Sequence, residues 1–127
     1  MKYKKKLLIL GFHYANIILI IFYLYPASIF GHLLYSDSSI QPQLTRDFIV
    51  SSNHVYAFIV LSFLGVVAYQ KTPNINFVIM YLFISSIILE LFHALIPARE
   101  FEWSDLFGNI LGVFFVIIIY KIKNKYA

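Results

Sequence analysis

The chain has 127 residues, of which 61% are hydrophobic and 13% charged, and its mean hydropathy is +0.79. A chain this small and this apolar cannot bury its apolar runs in a water-soluble core, so the composition indicates an integral membrane protein. The absence of cysteine excludes disulfide scaffolds, thiolate metal sites and cysteine nucleophiles. The net charge is +4, but the lysines lie at the chain ends and in one short loop. This segregation argues against a nucleic-acid partner and matches the positive-inside pattern of membrane proteins.

The first apolar run covers residues 7–25, follows a lysine-rich segment and is closed by Pro26. Its length is close to the roughly 20 residues that cross a bilayer. It is longer than the apolar core of a signal peptide, about 7–15 residues, so we expect an uncleaved first span. His13 and Asn16 interrupt this run one helical turn apart. We expect them to make interhelical hydrogen bonds.

The connection over residues 26–50 is the longest in the chain. Its apolar residues at 29–34 predict a short, half-buried helix in the headgroup zone. The polar stretch 36–43 predicts an exposed loop, because it is rich in serine, aspartate, glutamine and proline.

Three more apolar runs follow this connection. The second span is predicted at about 50–69, with Ser52 or Asn53 as its N-cap and His54 at its outer end. The third is predicted at 73–96, where Pro97 ends it because proline has no N–H to donate. The fourth is predicted at 105–120.

The sequence therefore predicts an all-α integral membrane four-helix bundle in one domain, residues 1–127, with both termini in the cytoplasm. In this topology every lysine lies inside, and five of the six acidic residues lie outside. Glu90 is the exception, because it lies within the third run.

Polar residues flank the turn between the third and fourth runs. Placing a polar side chain in a membrane costs free energy, so its presence there indicates a structural or functional role. Glu90, His93 and Pro97 share one helical face with Ser86, whereas Asp105, Asn109 and Gly112 share a face of the next run. A tight turn that carries Arg99 joins the two runs. We therefore expect the two faces to meet, as a binding site or as a structural clasp of the same shape.

The same residues carry a resemblance to a known family. The pattern E-x-x-H-x-x-x-P-x-R, followed after five residues by D-x-x-x-N-x-x-G, resembles the signature of the VanZ-like family. Those are small bacterial membrane proteins named after a teicoplanin-resistance accessory protein. Glu90, Pro97, Arg99, Asp105, Asn109 and Gly112 match that signature in register.

A second landmark of the family opens the second span, where His54 matches a family histidine. The chain departs from the family pattern at His93, where the family usually has glutamine, and at Ser51, where it usually has lysine. The resemblance covers roughly residues 50–116. It implies a multi-pass protein of the bacterial cytoplasmic membrane with a role at the cell envelope, such as antibiotic resistance.

In the first of three hypotheses, the polar residues form an outer-leaflet pocket that binds membrane lipids, a lipid-linked cell-wall intermediate or a glycopeptide. Its ligand-binding residues are Glu90, His93, Arg99, Asp105, Asn109 and His54. Arg99 would grip a phosphate or carboxylate, since its planar guanidinium can pair with either anion bidentately. No cofactor is expected, and a homo-oligomer or a membrane-protein partner stays open.

The second hypothesis is catalysis on a lipid-borne ester or phosphate, with Glu90 or His93 as the acid or base. Ser86 and Ser104 are the available hydroxyl nucleophiles, although neither lies in a recognisable motif. A metal variant would use His54, His93, Glu90 and Asp105. The glutamine that the family carries at position 93 argues against an imidazole ligand there, so no metal is expected.

In the third hypothesis the cluster is structural. Glu90 pairs with Arg99, Asp105 caps the fourth span, and Asn109 ties that span to a side chain of the third. Gly112 lies on the same face, so we expect the closest approach of the fourth span to be to the third.

Overall fold

The computed structural model describes residues 2–126, and every regular element within them is a helix. The helices are α1 Lys2–Leu24, α2 Ile29–Tyr35, α3 Ser52–Tyr69, α4 Ile75–His93 and α5 Trp103–Tyr126. All except α2 are long and apolar enough to cross a membrane. This confirms the predicted helical membrane bundle and makes the chain a multi-pass membrane protein. The cytoplasmic placement of both termini stays a prediction.

α3 lies at the centre of the bundle and contacts each of the other three spanning helices, most extensively α5. Phe58, Leu61, Leu82 and Val113 are fully buried between them. Most other apolar side chains of the spans point outwards, and α1 is the most exposed of the four. Such an apolar exterior suits contact with lipid chains. The backbone also suits the bilayer, because the hydrogen bonds of each helix are satisfied within the helix itself.

Two glycines let α5 lie against α3. A β-carbon at Gly112 would lie 2.6 Å from the carbonyl oxygen of Val55, and one at Gly108 would lie 2.8 Å from that of Ser51. The expectation that this approach is to the third span is therefore wrong. The glycines occupy a stripe of α5 next to the stripe of Asp105 and Asn109. α5 turns its glycines to α3, while Asp105 also faces α3 and Asn109 reaches α1, α3 and α4.

Several helix ends differ from the predicted span boundaries, and α1 begins at Lys2 rather than at residue 7. α4 ends at His93 rather than Ile96, because Ala94 and Leu95 donate to carbonyls only three residues back, in a tightened last turn. Helical backbone is also disfavoured at the residue before a proline. α5 continues beyond residue 120 to Tyr126, and its lysines suit the negative end of the helix dipole.

The predicted N-cap of α3 is wrong. Asp47 fills this role from the preceding loop, because its Oδ1 accepts the backbone N–H of Ser52 at 2.8 Å. That hydrogen bond lowers the pKa of Asp47 below its ordinary value. Asn53 instead turns back to the loop, where its side chain binds the backbone of Pro42 and Leu44.

The interhelical hydrogen bonds predicted for the first span are present. His13 Nε2 lies 2.9 Å from the hydroxyl of Tyr69 in α3, and Asn16 donates to the hydroxyl of Tyr81 in α4. The short helix predicted in the long connection is also present as α2. Its Phe30, Leu33 and Leu34 side chains are exposed, as expected for a helix in the headgroup zone.

The seam between α3 and α5 can be tested with a pair of glycine substitutions. Gly112→Ala should lower the free energy of unfolding by about 1–3 kcal/mol, because the added methyl group overlaps the backbone of α3. Gly11→Ala is the matched control, since nothing lies within 4 Å of its added β-carbon. Thermal unfolding of both variants in detergent measures the difference. Equal stability of the two variants would contradict the close approach.

Candidate functional site

The site lies at the end of the bundle where α1 and α4 end and α3 and α5 begin, here called the loop end. It includes the connection over residues 25–51 and the turn over residues 94–102. Six polar side chains converge there from all four spans. They are Tyr23 of α1, His54 of α3, Glu90 and His93 of α4, and Asp105 and Asn109 of α5.

Arg99 occupies the end of α1. Its guanidinium donates to the carbonyl oxygens of Phe22, Tyr25 and Ala27 at 2.9–3.1 Å. Pro26 explains why an outside donor is needed, because the N–H that would normally bond the Phe22 carbonyl is missing there. A cation at a helix C-terminus is also favoured by the helix dipole. Arg99 therefore completes the last turn of α1.

This position changes the predicted role of Arg99. Among residues 2–126, Arg99 forms no ion pair within 4.0 Å of Glu90, so the direct pairing is not made, whereas the alternative contact through one water stays a prediction. The edge of the guanidinium formed by Nε and Nη2 is occupied by backbone carbonyls. The predicted bidentate grip of a phosphate or carboxylate stays a prediction, and it would have to involve Nη1, since Nε and Nη2 donate to the end of α1. Burial lowers the pKa of Arg99, and the carboxyl groups of Glu90 and Asp105 oppose that shift.

Ala98 brings the chain back towards α1. Its φ is +60°, a left-handed conformation that costs roughly 1–2 kcal/mol for a residue with a β-carbon. The residue lies between Pro97, which cannot continue a helix, and Arg99, which reaches α1. The strained turn thus positions the guanidinium.

His93 also serves the end of α1. Its Nε2 lies 3.0 Å from the carbonyl oxygen of Tyr23, which can only accept, so Nε2 carries a proton. Its Nδ1 lies 3.2 Å from Oε1 of Glu90. A hydrogen bond there needs one proton, from a carboxylic acid or from an imidazolium. Glu90 and His93 therefore share one proton across this contact.

Glu90 is fully buried, with 0% of its surface exposed. Its Oε1 also accepts the backbone N–H of Glu102 from the turn, at 3.2 Å. Its Oε2 has no hydrogen-bond partner among the described residues and lies 3.7 Å from Nδ1 of His54. A buried carboxyl oxygen without a partner is costly, so this atom marks a place where the cluster is incomplete by itself.

Asn109 is the hub of the cluster and is fully buried. Its Nδ2 donates to the carbonyl oxygen of Ser86 in α4 at 3.1 Å, which fixes the orientation of the amide. Its Oδ1 accepts the hydroxyl of Tyr23 at 2.5 Å and lies 3.0 Å from Nδ1 of His54. The predicted tie to the third span exists, but it is made to a backbone carbonyl rather than to a side chain.

The contact with Asn109 defines the orientation of His54. Because Oδ1 of Asn109 can only accept, Nδ1 of His54 must carry a proton. The other ring nitrogen, Nε2, then faces Oδ2 of Asp105 at 3.3 Å. His54 is therefore part of the cluster and not merely an interfacial residue at the start of a helix.

A cavity of about 400 Å³ opens beside the cluster at the loop end. Its lining is almost entirely polar and includes three acidic residues and one basic residue. The lining residues are Gln41, His93, Ala98, Arg99, Glu100, Glu102 and Asp105. His93 and Asp105 thus connect this cavity to the buried cluster.

The structure brings together five of the six predicted ligand-binding residues and gives Arg99 a different partner. Of the two predicted hydroxyl nucleophiles, Ser86 donates to the carbonyl of Phe83, whereas Ser104 donates to the carboxyl groups of Glu102 and Asp105. Sequence reasoning missed Tyr23, because a tyrosine near the end of an apolar run is also typical of a membrane interface.

Comparisons of the chain with protein-family models, with curated proteins and with solved structures gave no match. The resemblance to the VanZ-like family therefore stays a prediction that rests on the residues themselves.

The role of Arg99 at the end of α1 predicts a strong effect on stability. Arg99→Ala should lower the free energy of unfolding by about 2–4 kcal/mol, because three carbonyls lose a charged donor. Arg46→Ala, in an exposed part of the long connection, is the control and should change stability little. Unfolding in detergent, followed by circular dichroism, measures both. An Arg99→Ala protein as stable as the control would refute this role.

The position of Asn109 as a hub gives a second prediction. Asn109→Ala should cost roughly 1–3 kcal/mol, because it leaves the donors of Tyr23 and His54 without an acceptor. Asn16→Ala is the matched control, since Asn16 joins α1 to α4 through one hydrogen bond and should cost roughly 0.6 kcal/mol. The same unfolding assay compares them. A larger loss of unfolding free energy for Asn16→Ala than for Asn109→Ala would contradict the central position of Asn109 in the cluster.

Proposed function

We propose that this chain is a VanZ-like protein of the bacterial cytoplasmic membrane with both termini in the cytoplasm. In this proposal the loop end faces outwards and binds the polar head of a lipid-linked cell-envelope molecule. Six residues of the family pattern support the family, and the segregation of lysines supports the orientation. A role in antibiotic resistance would follow if the bound molecule is the target of an antibiotic.

The observation that carries the proposal is that exposed apolar side chains surround the polar cavity. Exposed apolar side chains surround the loop end, although most of them lie outside the spanning helices. They include Phe30 and Leu33 of α2, Phe48 and Ile49 of the connection, Leu95 of the turn and Trp103 at the start of α5. Phe48 is 97% exposed, which suits burial in a bilayer interface rather than contact with water.

This surrounding supports a position of the cavity at the depth of lipid headgroups. A ligand whose apolar tail stays in the bilayer could thus put its polar head into the cavity without leaving the membrane. A soluble glycopeptide would gain nothing from the apolar surroundings. The arrangement therefore favours a lipid-borne ligand over a soluble one.

The charges of the cavity favour particular head groups. Glu100, Glu102 and Asp105 outnumber Arg99, whose donors largely serve α1. Carboxylates accept hydrogen bonds, so the lining suits hydroxyl, amide and amine groups. Lipid-linked sugars and peptides carry such groups, whereas a bare phosphate would be repelled.

One observation favours a second candidate, an enzyme that acts on such a lipid. His93 lies at the wall of the cavity, and its Nδ1 is 3.2 Å from Oε1 of Glu90. A histidine paired in this way can act as a general acid or base on a group in the cavity. Turnover of a lipid-borne ester or phosphate that is lost in His93→Gln, with binding retained, would favour this candidate.

The binding proposal predicts a lipid that is retained through purification. Native mass spectrometry of the protein, extracted in mild detergent, should show one polar lipid per chain. Gln41→Trp should remove it, because the indole would fill the mouth of the cavity. Leu44→Trp is the matched control, since Leu44 lies nearby in the same connection, is already apolar and exposed, and does not line the cavity.

Retention of the lipid by the Leu44→Trp protein and its loss from the Gln41→Trp protein are the expected results. If the wild type carries no lipid, or if Gln41→Trp keeps it, the cavity is not a lipid site.

A further inference from the structure

We propose that His54, Glu90 and Asp105 form a site for one divalent cation, Zn²⁺ or Mn²⁺, beside the polar cavity. One ligand atom of each residue lies within 4.8 Å of the ligand atoms of the other two. An imidazole with two carboxylates is a donor set that both ions accept. His93 is not a member of this set, so the family glutamine at that position does not count against it.

The spacing of two ligands already matches that of a metal site. Nε2 of His54 and Oδ2 of Asp105 lie 3.3 Å apart. Ligands at about 2.0–2.2 Å from a tetrahedral Zn²⁺ lie roughly 3.3–3.5 Å from each other. The carboxyl group of Glu90 now lies nearest to the other ring nitrogen, with Oε2 3.7 Å from Nδ1 of His54, so it would have to turn towards Nε2 and Asp105 to complete three ligands. The fourth position would stay open towards the cavity.

The surroundings of His54 match those of a metal-binding histidine. Metal-bound imidazoles almost always donate their other N–H to an oxygen, which fixes the ring and its tautomer. Here Nδ1 of His54 donates to Oδ1 of Asn109 at 3.0 Å, and Ser86 in turn holds the amide of Asn109. This arrangement leaves Nε2 directed at Asp105. The position of the ring therefore does not depend on a bound ion.

Glu90 gives the independent observation. Its Oε1 is used twice, by the backbone N–H of Glu102 and by His93, whereas the fully buried Oε2 has no partner among residues 2–126. A structural clasp would satisfy both oxygens, because an unpaired buried carboxyl oxygen is costly. A cation bound by Oε2, His54 and Asp105 would supply the missing partner and neutralise the two carboxylates.

The ion would also change which ligand the cavity accepts. Without it, the acidic lining repels phosphate. A cation with an open position facing the cavity would attract a phosphate or pyrophosphate, such as those that join sugars to carrier lipids. This last role rests on the proposed function, whereas the binding of the ion itself does not.

The experiment is a titration of tag-free protein in detergent, first treated with EDTA and freed of lipid. Calorimetry with ZnCl₂ and with MnCl₂, and elemental analysis after desalting, measure affinity and stoichiometry. The wild type should bind one Zn²⁺ or Mn²⁺ per chain. Asp105→Asn keeps the shape of the side chain and should weaken binding by about tenfold or more, since it removes a ligand charge.

Two variants serve as matched controls. Glu102→Gln changes a carboxylate that lines the same cavity but lies outside the set, and His32→Gln changes an exposed histidine of α2. Both should bind the ion as the wild type does. No saturable binding by the wild type would overturn the proposal, as would an effect of Glu102→Gln or His32→Gln equal to that of Asp105→Asn.

The lipid measurement and the metal titration can fail separately. A wild type that binds the ion but retains no lipid would leave the metal site standing and remove the proposed function. A wild type that retains lipid but binds no ion would keep the proposed function and remove the metal site.

Discussion

The buried carboxyl group of Glu90 is the constraint on which the arrangement of the loop end depends. A carboxyl group without contact with water must be neutral or surrounded by donors and cations. Glu90 obtains a backbone donor from the turn, a shared proton from His93 and a histidine of α3 at 3.7 Å. These partners come from α3, from α4 and from the turn that leads into α5. Satisfying one side chain thus fixes the relative positions of these elements.

The second constraint is the set of backbone carbonyls at the end of α1 that lack a helical donor, and the same cluster supplies donors to them. Pro26 removes a backbone donor at the point where the first span reaches the loop end. Arg99 and His93 replace it by donating to the carbonyls of Phe22 and Tyr23. α1 has little of its surface buried, so these polar contacts compensate for limited packing. The residues that resemble a family motif therefore build the bundle and one wall of its cavity at the same time.

Much of this could be predicted from the sequence, and the failures have physical reasons. The four spans follow from their apolar length, and helical spacing brings Glu90, His93, Asp105 and Asn109 together. The partner of Arg99 could not be predicted, because backbone carbonyls have no signature in a sequence. A tyrosine such as Tyr23 is common at membrane interfaces, so its role in the cluster has no distinctive signal. The G-x-x-x-G pattern predicts a close approach but does not say which helix is approached.

The protonation of His54 tests the central claim most directly. That claim is that Asn109, oriented by the carbonyl of Ser86, fixes the ring of His54 so that its Nε2 faces Asp105. Nitrogen-15 spectra of the protein with labelled histidine, recorded in lipid bilayers and assigned with His54→Gln, report which ring nitrogen carries a proton. The structure predicts a protonated Nδ1 on His54. An unprotonated Nδ1 would contradict the hydrogen bond to Asn109, and with it the orientation of the cluster.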